Sequence, residues 1–195
     1  MMRVLYLYAH PLPESFHGAL RDHGLAALTA AGHEVDLLDL NADGFDPVLG
    51  VEGRRHYHDE AVNRRGLEDY VARLGQAEAL VVQFPTWCFG PPAILKGFFD
   101  RVFMPGVAFD ISDPANVRPL LRHVRRVVGI STYGRPRLQA IYMGDPPRKL
   151  ICRYLRWFVA GKAKVSYHAL YHMNVADADR RRHFLGRVER ALREL

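Results

Sequence analysis

Three short stretches of this 195-residue chain carry residue types and spacings that could do chemistry. The first is His10-Pro11-Leu12-Pro13-Glu14-Ser15-Phe16, which leads from an apolar run into a helical pattern. A helix N-terminus offers free N–H groups and the positive end of a dipole, which suits a phosphate, and His10 and Ser15 add donors. The same two residues serve equally well as a structural histidine and a helix cap. The second stretch, Pro85-Thr86-Trp87-Cys88-Phe89-Gly90, crowds aromatic surface into a place where polar turn residues are expected. Something flat is expected to pack there, completion of the core being the competing use. Cys88 has no base or thiolate-stabilising partner legible in the sequence and reads as packing. The third stretch, Ser131-Thr132-Tyr133-Gly134, offers hydroxyls and backbone N–H groups to the polar edge of a ring, or forms a plain turn.

No metal site is expected. His168 and His172 lie in a segment that reads as a strand, where positions four apart are roughly 13 Å from each other. His56 and His58 read as a solvated loop pair. Neither a G-x-G-x-x-G fingerprint nor a phosphate-binding G-x-x-x-x-G-K-[ST] loop is present.

These stretches need elements to position them, and each follows an apolar run. Arg3 to Ala9 reads as a buried strand, and a helix follows, capped by Ser15, with Phe16, Leu20 and Ala27 at near-helical spacing and Gly32 at its end. Glu34 to Leu40 is a second strand. Asn41 to Arg65 is polar and glycine-containing and reads as a long loop or insertion. Gly66 to Gln76 forms a short helix, and Ala79 to Phe84 is a central strand stopped by Pro85. Pro91 and Pro92 open a helix with Ile94, Leu95, Phe98 and Val102 facing inward. Arg125 to Ser131 is a fourth strand, Arg148 to Ala160 a basic amphipathic helix closed by Gly161, Lys164 to Met173 a fifth strand, and Asp177 to Leu195 a final helix. Alternation of this kind selects an α/β fold, a doubly wound five-stranded parallel sheet with helices on both faces, in one domain over residues 1–195. Ligands of such sheets bind beyond the carboxyl ends of the strands at the topological switch point, where all three stretches lie.

Composition narrows the class. Hydrophobic residues make up 49% of the chain, and no apolar run approaches the length of a membrane-spanning helix, so no membrane insertion is expected. The apolar start of the chain is too short for a signal-peptide core, which with only two cysteines, Cys88 and Cys152, gives a cytoplasmic address. Net charge is +6, and it is unevenly placed: Arg118 to Lys164 holds 12 Lys or Arg against the single acid Asp145. Anionic small molecules, an acidic membrane surface or nucleic acid would answer such a balance, as would plain solvation. No interleaved aromatic-basic RNA motif or recognition helix appears, so no nucleic-acid partner is expected. Phe98, Phe99 and Phe103 span more of the helix from Pro91 to Met104 than one inward stripe requires. That surplus predicts a homodimer with shared sites, the loop from Asn41 to Arg65 reaching the partner's crevice.

Taken together, the three stretches resemble the flavodoxin-like NAD(P)H:quinone oxidoreductases, the DT-diaphorase family and its small bacterial members, over most of the chain. The longest matching stretch is Phe84-Pro85 and then Pro92-Ala93-Ile94-Leu95-Lys96-Gly97-Phe98-Phe99-Asp100-Arg101-Val102-Phe103-Met104-Pro105-Gly106, and His10, Ser15 and Phe16 fit the H-x-x-x-x-S-F element. The resemblance implies one FMN or FAD per chain. Its phosphate would lie near His10, Ser15, Phe16 and His17, the last standing where the family often has Asn. The isoalloxazine ring would lie over Pro85, Thr86, Trp87, Cys88 and Phe89, with Ser131, Thr132, Tyr133 and Gly134 at its pyrimidine edge. Tyr133 interrupts the usual Thr-Thr-Gly-Gly of that loop, and the Tyr and His that follow it in the animal enzymes do not align with Arg135 to Asp145. Tyr133 and Tyr142 are the catalytic candidates. The implied activity is hydride transfer from NAD(P)H through flavin N5 to a quinone-like small molecule. Alternatives are a flavodoxin-type electron carrier, against which the basic balance and the aromatic loop both stand, and a regulatory ancillary subunit of a potassium efflux system.

Overall fold

Side chains of the first apolar run alternate between two buried faces, as a strand covered on both sides demands: Val4, Tyr6 and Tyr8 on one, Leu5, Leu7 and Ala9 on the other. In the computed structural model, which describes residues 1–159, 161 and 163–195, this run forms β1 (Arg3–Tyr8). The chain continues through α1 (Phe16–Ala30), β2 (Glu34–Asp39), α2 (Val51–Arg55), α3 (Glu68–Gln76), β3 (Ala79–Thr86) and α4 (Ala93–Val102). A small antiparallel pair, β4 (Phe109–Asp110) and β5 (Arg118–Pro119), precedes β6 (Arg126–Tyr133) and α5 (Arg137–Tyr142). A helical rod follows, made of α6 (Pro146–Lys149), a π-helical segment (Leu150–Leu155) and α7 (Arg156–Val159), and then β7 (Lys164–Leu170) and α8 (Ala178–Arg193). The end of the helix expected at Ala160 lies outside the described residues.

The five long strands are parallel, in the order β2-β1-β3-β6-β7. The order reverses between β1 and β3, which makes their carboxyl ends the switch point. Helices cover both faces. α1 and α8 pack Leu20, Leu28, Phe184 and Leu192 onto one, while α4 and the rod pack Leu95, Phe98, Ile151 and Leu155 onto the other. Each such side chain, fully buried, is worth about 1.5–3 kcal/mol.

Three expectations need correcting. Pro85 does not stop the third strand, which runs on to Thr86, paired with β6 through Pro85↔Thr132 and Thr86↔Tyr133. Successive residues of a strand send their N–H and C=O to opposite neighbours. Gln83 bonds toward β1, where its carbonyl accepts from Ala9 N–H at 3.0 Å, so Pro85 also faces that side. β1 has by then left the sheet, and the missing N–H costs no ladder bond. The fifth strand ends at Leu170 rather than Met173, since His172 turns left-handed at φ 60°.

The third correction concerns the aromatic helix and the segment 41–65. Phe98, Phe99 and Phe103 are all buried within their own chain, so they leave no aromatic area for a second copy. The segment that covers them includes α2 and lies across α4: Phe45 meets Phe98 at 5.6 Å between ring centroids, the Tyr57 hydroxyl donates to Phe103 O at 3.2 Å, and Asn63 donates to Pro105 O at 3.0 Å. From the other side Phe103 packs on Phe158. Gly97 permits this seating, because a β-carbon there would overlap the Pro47 backbone.

Gly97→Ala should therefore lower stability by roughly 1–3 kcal/mol, the usual cost of inserting volume into a packed contact. Urea unfolding measures it, and an unchanged midpoint would mean that the segment is not seated on α4 as described.

Candidate functional site

Polar residues inside an apolar sheet need partners, and four of them partner one another. Gln83 sits on the β3 face that meets α1, fully buried among Val81 and Tyr6. Its side-chain carbonyl accepts from the Tyr6 hydroxyl, and its amide donates to His17 O at 2.6 Å and approaches His17 Nδ1 at 3.3 Å. An amide can only donate there, so Nδ1 accepts and the ring proton sits on Nε2. Nε2 then donates to Thr132 Oγ1 at 2.9 Å. The chain of donors runs from Tyr6 through Gln83 and His17 to Thr132, whose own hydroxyl proton is left to donate onward. Burial, reinforced by the neighbouring His10, pushes the His17 imidazole down to about 3, so the ring stays neutral.

His10 stacks on His17 with centroids 5.3 Å apart and an interplanar angle of 13°. Its Nδ1 accepts from Leu12 N–H at 3.1 Å, which leaves Nε2–H as a donor, and burial lowers this imidazole too. Ser15 caps α1: its hydroxyl accepts from Gly18 N–H at 3.2 Å and donates to Leu12 O at 2.7 Å. Among the described residues no protein acceptor meets the N–H groups of Phe16 and His17, so the head of α1 presents two open donors. Phe16 contributes through that backbone alone, since its ring packs toward Phe184 on α8.

From β3 the chain enters a tight turn in which Trp87 and Gly90 bond each other both ways, at 3.0 and 2.9 Å. Cys88 and Phe89 between them have φ of 49° and 58°, the positive pair of a type I′ turn that Asn-Gly usually supplies. Holding two side-chain-bearing residues there costs about 1–2 kcal/mol each, so the surroundings must over-determine the turn. It presents Trp87, 47% exposed, with its ring 6.0 Å from His10. Thr86 bonds Ser131 at 3.1 Å.

The predicted loops thus meet at one place. His10 touches Trp87, His17 touches Thr132, and Thr86 touches Ser131, so the chain after β1 and the carboxyl ends of β3 and β6 meet at one place, where such sheets bind their ligands. Pro85 is buried in β3, and Gly134 follows the end of β6. The two tyrosines fare differently. Tyr133 is buried, and its hydroxyl meets Asp145 Oδ1 and the Tyr167 hydroxyl, each at 2.6 Å. Tyr142 stands at the end of α5, 88% exposed. Sequence reasoning missed Tyr6, Gln83 and Asp145. Two polar side chains within apolar runs were the available signal for the first pair, whereas nothing local marks Asp145. Among the described residues no group of three or more His, Cys, Asp or Glu is placed to hold a metal ion. No helix there is long and apolar enough to cross a membrane.

The family described by a flavodoxin-like fold matches residues 2–189. Smu.1420 from Streptococcus mutans UA159 is similar in structure, with a TM-score of 0.87 at 29% identity over 100% of both chains. The NAD(P)H:quinone oxidoreductase from Methanothermobacter marburgensis gives a TM-score of 0.82 at 27% identity, covering 99% of this chain and 96% of that one. The ribosyldihydronicotinamide dehydrogenase (quinone) of Pongo abelii is 33% identical over an alignment of 126 residues that covers 56% of this chain and 54% of that protein. The chain therefore spans about half the length of the curated relatives it matches.

The neutral His17 makes a pH prediction. Its folded value, about 3, lies below the ordinary 6.5, so between these the unfolded chain binds a proton that the folded chain refuses. Stability should fall as pH drops through 6.5 and go on falling toward 3, by up to about 1.4 kcal/mol per pH unit. His17→Gln lacks this term. Unfolding by urea at neutral and mildly acidic pH should show wild type losing roughly 2 kcal/mol more than the variant. Equal losses would mean that His17 is protonated in the fold.

Proposed function

Because this chain belongs to the family with the flavodoxin-like fold, we propose that it is a flavin-dependent oxidoreductase that takes hydride from NAD(P)H and delivers it to a quinone-like small molecule. The observation that carries the reading is the convergence of three strand-end loops at the switch point, through His10–Trp87, His17–Thr132 and Thr86–Ser131. The donor set suits a phosphorylated, planar cofactor. Open amides of Phe16 and His17 at the head of a 15-residue helix, with His10 Nε2–H beside them, suit a phosphate. Trp87 and the neighbouring turn supply a flat aromatic wall, and Thr132 and Gly134 supply donors to a polar ring edge.

One FMN or FAD per chain, when bound, supplies the hydride and electron chemistry. The protein's part is to hold it, exclude water and position the two substrates. Burial lowers both imidazoles, His17 the more strongly, so charge at a phosphate would be met chiefly by backbone dipoles. Of the two tyrosine candidates, Tyr142 is assigned the hydroxyl that reaches a bound molecule, and Tyr133 the holding of its loop through Asp145 and Tyr167. Hydride donor and acceptor are those named for relatives, NAD(P)H and a quinone.

A homodimer belongs to the same proposal, now on different ground: α5 exposes Leu138, Ile141 and Tyr142 at helical spacing, and Met143 at its end is exposed as well. A cytoplasmic setting is included, supported by two free cysteines, Cys88 and Cys152.

Purified protein is expected to be yellow with about one flavin per chain, to bleach with NAD(P)H and to recover colour with a quinone. Failure to bind added FMN or FAD sinks the reading. Trp87→Ala should weaken flavin binding or hydride transfer roughly two- to tenfold, as loss of an aromatic contact does, while unchanged values would remove Trp87 from the site. Sedimentation of the flavin-loaded chain should give a dimer of 22.2 kDa subunits. A monomer with full turnover would remove the shared site.

A further inference from the structure

We propose that the cleft between α5, the rod that follows it and the end of β7 is a second ligand site, which grips the phosphate of a small anion. It has a volume of about 420 Å³, within the size range of small-molecule sites, and is lined by Arg137, Asp145, Arg148, Lys149, Arg153 and Tyr171. A shallower hollow of about 220 Å³ shares Arg137, Arg148 and Tyr171 with it and adds Arg187. In the larger cleft four cations thus face one acid. That acid, Asp145, is 8% exposed and accepts from the Tyr133 hydroxyl, and its single negative charge leaves positive charge in excess around the cleft.

Among the described residues none of Arg137, Arg148, Lys149 and Arg153 lies within ion-pair distance of a carboxylate. The backbone brings them together rather than apart. On an ordinary helix Arg148 and Arg153, five residues apart, diverge around the axis. The π-helical segment Leu150–Leu155 widens the turn and swings both onto one wall beside Lys149. Such turns are rare and frequent at functional sites. Here this one gathers like charges whose repulsion is unfavourable unless an anion lies between them.

Guanidinium forks match the oxygens of a phosphate, and Arg148 is already steered by its position over the Tyr167 ring at 5.9 Å. Tyr171, stacked at 4.5 Å on Tyr133, adds a flat surface for the rest of the molecule. The cleft also gives a use to the basic run from Arg118 to Lys164, which the crevice at β1, β3 and β6 leaves unused. The phosphate has two possible sources: the adenosine half of NADPH, which rests on the function proposed above, or a separate phosphorylated metabolite, which does not.

Calorimetric titration of the full chain with inorganic pyrophosphate tests the site without reference to hydride transfer. Saturable binding is expected, weakening as salt is raised. Arg137→Ala with Arg148→Ala should weaken it at least about tenfold, and Arg137→Lys with Arg148→Lys should restore part of it, as the charge returns without the fork. Circular dichroism and the thermal midpoint check that both pairs fold. The Michaelis constants of the double-alanine variant then identify the source. A rise for NADPH and none for NADH assigns the phosphate to the hydride donor; an unchanged ratio with pyrophosphate binding lost assigns it to a separate molecule. Absence of saturable pyrophosphate binding to wild type, or equal binding to wild type and the double-alanine variant, overturns the proposal.

Discussion

The Ala9 N–H donates to Gln83 O at 3.0 Å, and there the pairing of β1 with β3 ends, while β3 and β6 remain paired through Phe84, Pro85 and Thr86. That difference in length opens the crevice. It frees the chain after β1 to turn over the sheet end and start α1, and it carries the β3 and β6 loops out together as one wall. Because register in a parallel sheet is fixed by the two buried faces, a slip of one residue would send Gln83 to the wrong face and dismantle the site as well as the core.

What holds α1 against that sheet end is partly polar. The chain from Tyr6 through Gln83 and His17 to Thr132 crosses from β1 to β3, to α1, to β6. Each net hydrogen bond contributes only about 0.5–1.5 kcal/mol, but an orphaned buried partner costs about 1–3 kcal/mol. A network of this kind therefore specifies one arrangement more than it stabilises it. With its direction set by the Gln83 amide, it fixes which His17 nitrogen bears the proton and what the Thr132 hydroxyl has left to offer.

The strands were legible because apolar runs bounded by glycine and proline have few other readings, and the order of loops followed from that. Ser15 as cap and Trp87 at the crevice were equally local and equally readable. Legibility failed where a distant segment decides. Phe98 and Phe103 looked surplus on their own helix, because the pieces that bury them, Phe45 and Phe158, come from elsewhere in the chain. Tyr133 looked available for chemistry, because Asp145, twelve residues on, and Tyr167, from the neighbouring strand, are joined to it only by the fold. The π-turn has no sequence signature that helical periodicity could register.

Pro85 has a consequence for what may enter the crevice. Beyond Gln83 the flank of β3 that faced β1 has no strand paired to it, and an unpaired flank is where another extended chain can dock by continuing the ladder. A docking strand needs donors and acceptors in alternation, and here the donor is replaced by a pyrrolidine ring. A peptide segment finds no ladder donor at that position, which favours guests that bind the opening by their faces.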